Sequence, residues 1–253
     1  MEKKKNDFIA QGSILAIASI LVRVMGMIYR IPMTAIIGDK GNGFYSYAYS
    51  VYTILLLLSS YSLPLAVSKM VSAKAQLGQW RNVKRVFICA IAFAIGIGTT
   101  FGLIVLIGAQ LFTRVFFHSE LAAIALRFMA PTILIMALLG VFRGFFQGKR
   151  TMIPTAVSQI IEQVVNAIVS VAASYLFMKW NAESLQQAAW GAAGGTLGTC
   201  LGAASALLLV MFVYWLYRPV QTKLEKKDVT GNLESYQSLF KILILTILPI
   251  VLS

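Results

Sequence analysis

A succession of apolar runs, each long enough to cross a bilayer and separated by short basic loops, constrains this chain more than any other feature. About 20 apolar residues rising ~1.5 Å each span the ~30 Å hydrocarbon layer. Backbone in lipid is satisfied internally only as a helix or a closed barrel. Barrel strands would read as alternating segments of ~10 residues, whereas these runs are continuous. Composition points the same way. The chain is 58% hydrophobic and 12% charged; soluble domains carry about 25% charge. That leaves too little polar surface for a water-facing exterior. The expected fold is an all-α, polytopic membrane helix bundle.

The runs cover residues 8–37, 44–67, 86–112, 121–146, 153–177 and 188–217, giving six transmembrane helices, and residue 239 starts a seventh. The expected organisation is a helical lobe over 1–217, a charged linker over 218–238 and the start of a second lobe over 239–253. The run after the basic N-terminus is too long for a signal peptide, so a retained first helix is expected. Pro32 lacks a donor and predicts a bend near Ile31. Residues 38–43 read as a turn, and Tyr45, Tyr47, Tyr49 and Tyr52 after it as a headgroup-level belt.

The net charge of +13 invites a nucleic-acid reading, but position excludes it. Alternation places the N-terminus, 68–85, 147–151 and 218–238 on one side, and most of the loop Lys and Arg lie there. Lys40, Arg114 and Lys179 lie on the other. The positive side faces the cytoplasm, so a cytoplasmic N-terminus in the cell membrane is expected, with anionic lipids as partners.

Charge inside a span costs at least ~2.5–3.5 kcal/mol near the bilayer centre and marks a cavity or a partner. Arg23 and Arg30 are two turns apart and share a helix face with Ser19 and Gly26. Guanidinium groups pair bidentately with phosphate or carboxylate, so this stripe reads as an anion site; pairing with a buried acid or snorkelling is the plainer alternative. On the fifth span, Gln159, Glu162 and Asn166 share a face. Glu162, the one acid well inside a span, is a candidate partner for Arg23 or Arg30, or a coupling-ion site. Arg143, Lys149 and Arg150 read mainly as orientation charges. Gly191, Gly194, Gly195, Gly198 and Gly202 repeat small-xxx-small spacing, which lets helices approach closely. No catalytic set, metal site or cofactor motif can be assembled: His118 is in a loop, and Cys89 and Cys200 read as packing residues.

Several motifs together are similar to one family. Residues 23–32 (RVMGMIYRIP), 63–69 (LPLAVSK), 141–148 (VFRGFFQG), 151–156 (TMIPTA) and 158–163 (SQIIEQ) resemble the polysaccharide biosynthesis, SpoVB/YtgP-like flippases. These belong to the multidrug/oligosaccharidyl-lipid/polysaccharide (MOP) exporter superfamily, with MurJ and the MATE antiporters. The resemblance covers the first half of the family pattern and implies one MATE-like lobe. It implies a flippase for an undecaprenyl-pyrophosphate-linked saccharide, lipid II-like, for cell-wall or polysaccharide synthesis. It also implies that Arg23 and, one position displaced, Arg30 face a substrate cavity. The Tyr-, Ser- and Leu-rich second span departs from MurJ-like members, which carry an acid and a base there. The competing expectations are a cation-coupled multidrug antiporter using Glu162, and a half-transporter that needs a second lobe or a homodimer partner.

Overall fold

The computed structural model describes residues 2–252, which form seven helices and no strand. They are α1 (Glu2–Ser59), α2 (Leu63–Gln76), α3 (Trp80–Phe117), α4 (Ala122–Gly148), α5 (Ile153–Trp180), α6 (Gln187–Lys226) and α7 (Tyr236–Leu252). The fold is an all-α polytopic bundle.

α1 is a hairpin of two helical arms, broken at Gly38, where φ is 66° and ψ 179°. Tyr45 shows the reversal: its ring centre lies 6.0 Å from the Arg30 guanidinium. Fifteen residues of unbroken helix would separate the two by about 22 Å. Five helices are long and apolar enough to cross a membrane. Counting the two arms of α1 separately, the chain makes six crossings. The reversal falls at Gly38, the first residue of the turn expected over 38–43, and not at Pro32. Pro32 stays helical, since packed neighbours in membrane bundles offset a lost hydrogen bond. The break falls where a left-handed φ requires glycine. Residues 39–43, expected as a turn, are helical.

The second run also differs from expectation. Its helix ends at Ser59, and α2 restarts at Leu63 with Pro64 in its first turn, where a missing N–H costs nothing. Much of the expected polar connector 68–85 is thus helical, and the chain turns at Gly78, φ 72°. α6 likewise runs on through Lys226.

Glycine seams set the helix spacing. A Cβ on Gly202 would lie 2.6 Å from the Glu162 carbonyl oxygen, and one on Gly198 2.5 Å from the Ser170 nitrogen, so α6 lies directly on α5. On another face of α6, Gly195 admits Met33 and Tyr45 from the two arms of α1. A second seam, Gly140, Gly144 and Gly148 on α4, receives Pro64, Val67, Ser68 and Val71 of α2. Around these seams lie two apolar cores. One joins α2, α3, α4, α6 and α7 through Val67, Phe87, Phe145, Val210 and Leu239. The other joins the α1 hairpin to α3, α4 and α6 through Met33, Tyr45, Val105 and Met129. Outward-facing residues such as Ile31, Ile107 and Trp215 are strongly exposed, as lipid-facing side chains should be.

Two of the segments expected to share one side, 68–85 and 218–238, meet. Lys84 pairs with Glu225 at 3.1 Å, and Lys74 pairs with Glu234. Asn82 clamps the 227–235 segment: its amide donates to the Asn232 carbonyl at 2.8 Å, and its oxygen accepts from the Glu234 N–H at 3.1 Å. Asp228 accepts the Arg81 N–H at 2.9 Å.

Candidate functional site

Between the α1 hairpin, α5 and parts of α4 and α6 lies a cavity of about 580 Å³, lined by Arg23, Gly26, Tyr29, Arg30, Tyr45, Tyr49, Tyr52, Met136, Glu162, Gln163, Asn166 and Thr199 among others. The hairpin builds it. Folding α1 back at Gly38 sets the Arg23/Arg30 face of one arm against the Tyr45/Tyr49/Tyr52 face of the other. Gly26 completes the approach to α5, since a Cβ there would meet the Gln163 amide nitrogen at 3.2 Å.

Both arginines expected in a cavity line one. Neither forms an ion pair among the described residues. Arg30 lies over the faces of Tyr45 and Tyr49, at 6.0 and 5.8 Å. Rings at this distance attract a cation through their quadrupole without neutralising it. Asn166 donates to the Tyr29 hydroxyl at 3.3 Å and accepts from Ser170 at 2.8 Å, which fixes its orientation. Gln159 is not among the lining residues, and its side-chain oxygen is buried with no protein partner. Ser19, expected on the same stripe, bonds its own helix at the Leu15 carbonyl.

Glu162 does not answer Arg23 or Arg30, as one sequence expectation had it. It accepts from Arg143 Nη2 at 2.7 Å, while Arg143 Nε donates to Ser158 Oγ at 2.9 Å. Arg143 is therefore no simple orientation charge. The α4–α5 turn brings it back onto α5, and its side chain is only 10% exposed against 25% for Glu162. A buried pair needs such extra hydrogen bonds to offset desolvation. The cavity thus keeps two unpaired cations, and its one acid is balanced from behind.

The tyrosines were missed as site residues. Tyr45 and Tyr52 are each 3% exposed, well inside the lobe rather than at the headgroups. Their spacing carried a signal: 45, 49 and 52 fall on one helix face. Arg143 also had one, as a lone cation in the apolar run 138–146 preceding the helix that bears the lone span acid.

The six-crossing lobe has the fold of half a MOP superfamily transporter. A MOP superfamily transporter from Pyrococcus furiosus superposes with a TM-score of 0.72 at 15% identity, over 95% of this chain and 51% of that one. The chain belongs to the polysaccharide biosynthesis protein family, whose profile matches residues 8–249. Among curated relatives, it is 27% identical to the lipid II flippase MurJ of Bacillus subtilis (strain 168) over 237 residues, 90% of this chain and 43% of that protein. It is 27% identical to stage V sporulation protein B of the same organism over 214 residues, 85% of this chain and 40% of that protein. The chain spans about two fifths of the length of these relatives.

Proposed function

We propose that this chain forms one lobe of a flippase that moves an undecaprenyl-pyrophosphate-linked saccharide, lipid II-like, across the cell membrane. The observation that carries this reading is the cavity: two arginines inside the spans, without an acid partner among the described residues, ringed by tyrosines. Such cations attract a phosphate-bearing group, and the guanidinium fork pairs bidentately with its oxygens. Arg23 and Arg30 engage the pyrophosphate. The tyrosine hydroxyls and Asn166 hydrogen-bond its oxygens or the first sugar, and the prenyl chain remains in lipid. Glu162, held by Arg143, repels a misplaced anion and sets the edge of the site. Alternating access then requires a facing lobe, supplied by further chain or by a second copy. The similarity to flippase relatives supports transport over catalysis, and the weight of basic residues at one end supports a cytoplasmic N-terminus.

The test is binding of undecaprenyl pyrophosphate to the purified chain in detergent, read by native mass spectrometry. Arg23→Ala with Arg30→Ala should weaken it at least tenfold, while Lys179→Gln, outside the cavity, leaves it intact. Unchanged binding in the double variant would overturn the assignment.

A further inference from the structure

A second cavity, of about 650 Å³, lies at the basic end of the bundle, where α2, the α4–α5 turn and α6 meet. It shares no lining residue with the arginine cavity. Lys149 stands at its centre. The ammonium donates to the Tyr217 hydroxyl and to Gln221 Oε1, both at 2.6 Å, and lies 4.4 Å from the Tyr217 ring and 5.1 Å from the Trp80 and Phe145 rings. Of its three donors, these contacts occupy two and leave the third for a ligand. Burial pulls the Lys149 amine down to about 8, opposed by the Glu225 charge. Arg150 follows in a left-handed conformation, φ 61°, exposed and lining the same cavity beside Thr151.

The lining contains no acid. The nearest in sequence, Glu225, is engaged by Lys84 at 3.1 Å. A half-buried lysine held by aromatic rings, next to an exposed arginine and a hydroxyl, has the chemistry to hold an anion. The source of that anion follows from the surroundings. Phe212 and Leu216, close in sequence to the lining residues Val213 and Tyr217, are 56% and 57% exposed on the lipid-facing side of α6. Trp80 and Tyr217 have the amphipathic character of headgroup-level residues. A free phosphate would use the cations alone; a phospholipid uses the cations and the adjoining apolar surface. Basic pockets between helices at this level suit anionic headgroups.

We propose that this pocket seats the phosphate of an anionic phospholipid, held by Lys149, Arg150 and Thr151, with its acyl chains along α6. The lipid would wedge the α4–α5 turn against α2 and α6. The proposal is independent of what the arginine cavity carries.

The test is native mass spectrometry of the full chain in neutral detergent micelles doped with phosphatidylglycerol. Wild type should retain one phosphatidylglycerol tightly and phosphatidylcholine at least tenfold less well, with millimolar inorganic phosphate failing to displace it. Arg150→Asn, whose side chain tolerates this φ, should weaken retention about fivefold. Adding Lys149→Gln should abolish it, Lys149→Arg should preserve most of it, and Lys179→Gln at the other end of the bundle should leave it unchanged. If Lys149→Gln lowers the melting temperature, Arg150→Asn alone decides. Equal retention of phosphatidylcholine, full displacement by inorganic phosphate, an equal loss in Lys179→Gln, or wild-type retention in Arg150→Asn would each overturn the proposal.

Discussion

The arginines of α1 and the arginine of α4 sit in the same bundle under opposite regimes. Arg143 is packed between Ser158 and Glu162, nearly out of solvent, with its charge balanced. Arg23 and Arg30 line an open cavity, and no acid reaches them among the described residues. A cation in a span must be neutralised or hydrated; this lobe does one for α4 and the other for α1. The first arrangement builds the lobe, and the second leaves a charge free for something that arrives.

The sharpest way to break this contrast is Arg143→Ala. It strands Glu162 without a counter-charge and should cost about 3 kcal/mol, read as a fall in unfolding free energy in micelles. Adding Glu162→Ala should recover much of that loss, because the stranded charge goes with it. A Gly202→Val variant attacks the seam that holds α5 in place. Its side chain would meet the Glu162 carbonyl oxygen, 2.6 Å from the Cβ position, and overpacking of this kind costs about 1–3 kcal/mol. By contrast, Arg23→Ala should leave the melting temperature unchanged or slightly raised, while weakening pyrophosphate binding about tenfold, or ~1.4 kcal/mol. A destabilisation as large as that of Arg143→Ala would erase the distinction. Tyr49→Leu removes one ring beneath Arg30 and should cost ~0.5–1 kcal/mol of binding, visible by calorimetry.

Lys149 adds a pH dependence with a definite sign. Its folded value of about 8 lies below the ordinary lysine value of 10.5. Between those values the unfolded chain holds a proton that the folded one lacks, so stability should rise with pH across that window. Melting curves of wild type against Lys149→Met should differ by that rise; parallel curves would mean the amine is not buried in solution.

Particular residues show where the sequence was legible. Helix type was readable from run length, but the separate α2, which runs into the expected polar connector, was not. The limits of α3, α4 and α5 lie within a few residues of the apolar runs except at the start of α3, where Trp80 to Arg85 continue the helix beyond the lipid-soluble stretch. The α1 break was readable to within its position, since Gly38 opens the turn read over 38–43; the fate of Pro32 was not, because only neighbouring helices decide whether a proline breaks its helix. Arg23 and Arg30 were placed by a charge rule. The tyrosines opposite them were read as a membrane belt, because an aromatic near a span end looks the same whether it faces lipid or a partner helix.

The sequence by itself determined that this is a membrane bundle, how many times it crosses and which end is basic. Those follow from the match between apolar length and bilayer thickness, a property each segment carries alone. Which base meets Glu162, and which helix faces close the cavity, were decided only by the tertiary structure. Ion pairing and cavity walls depend on the rotation of each helix about its axis, and that rotation is fixed by glycine seams and hairpin turns acting between segments.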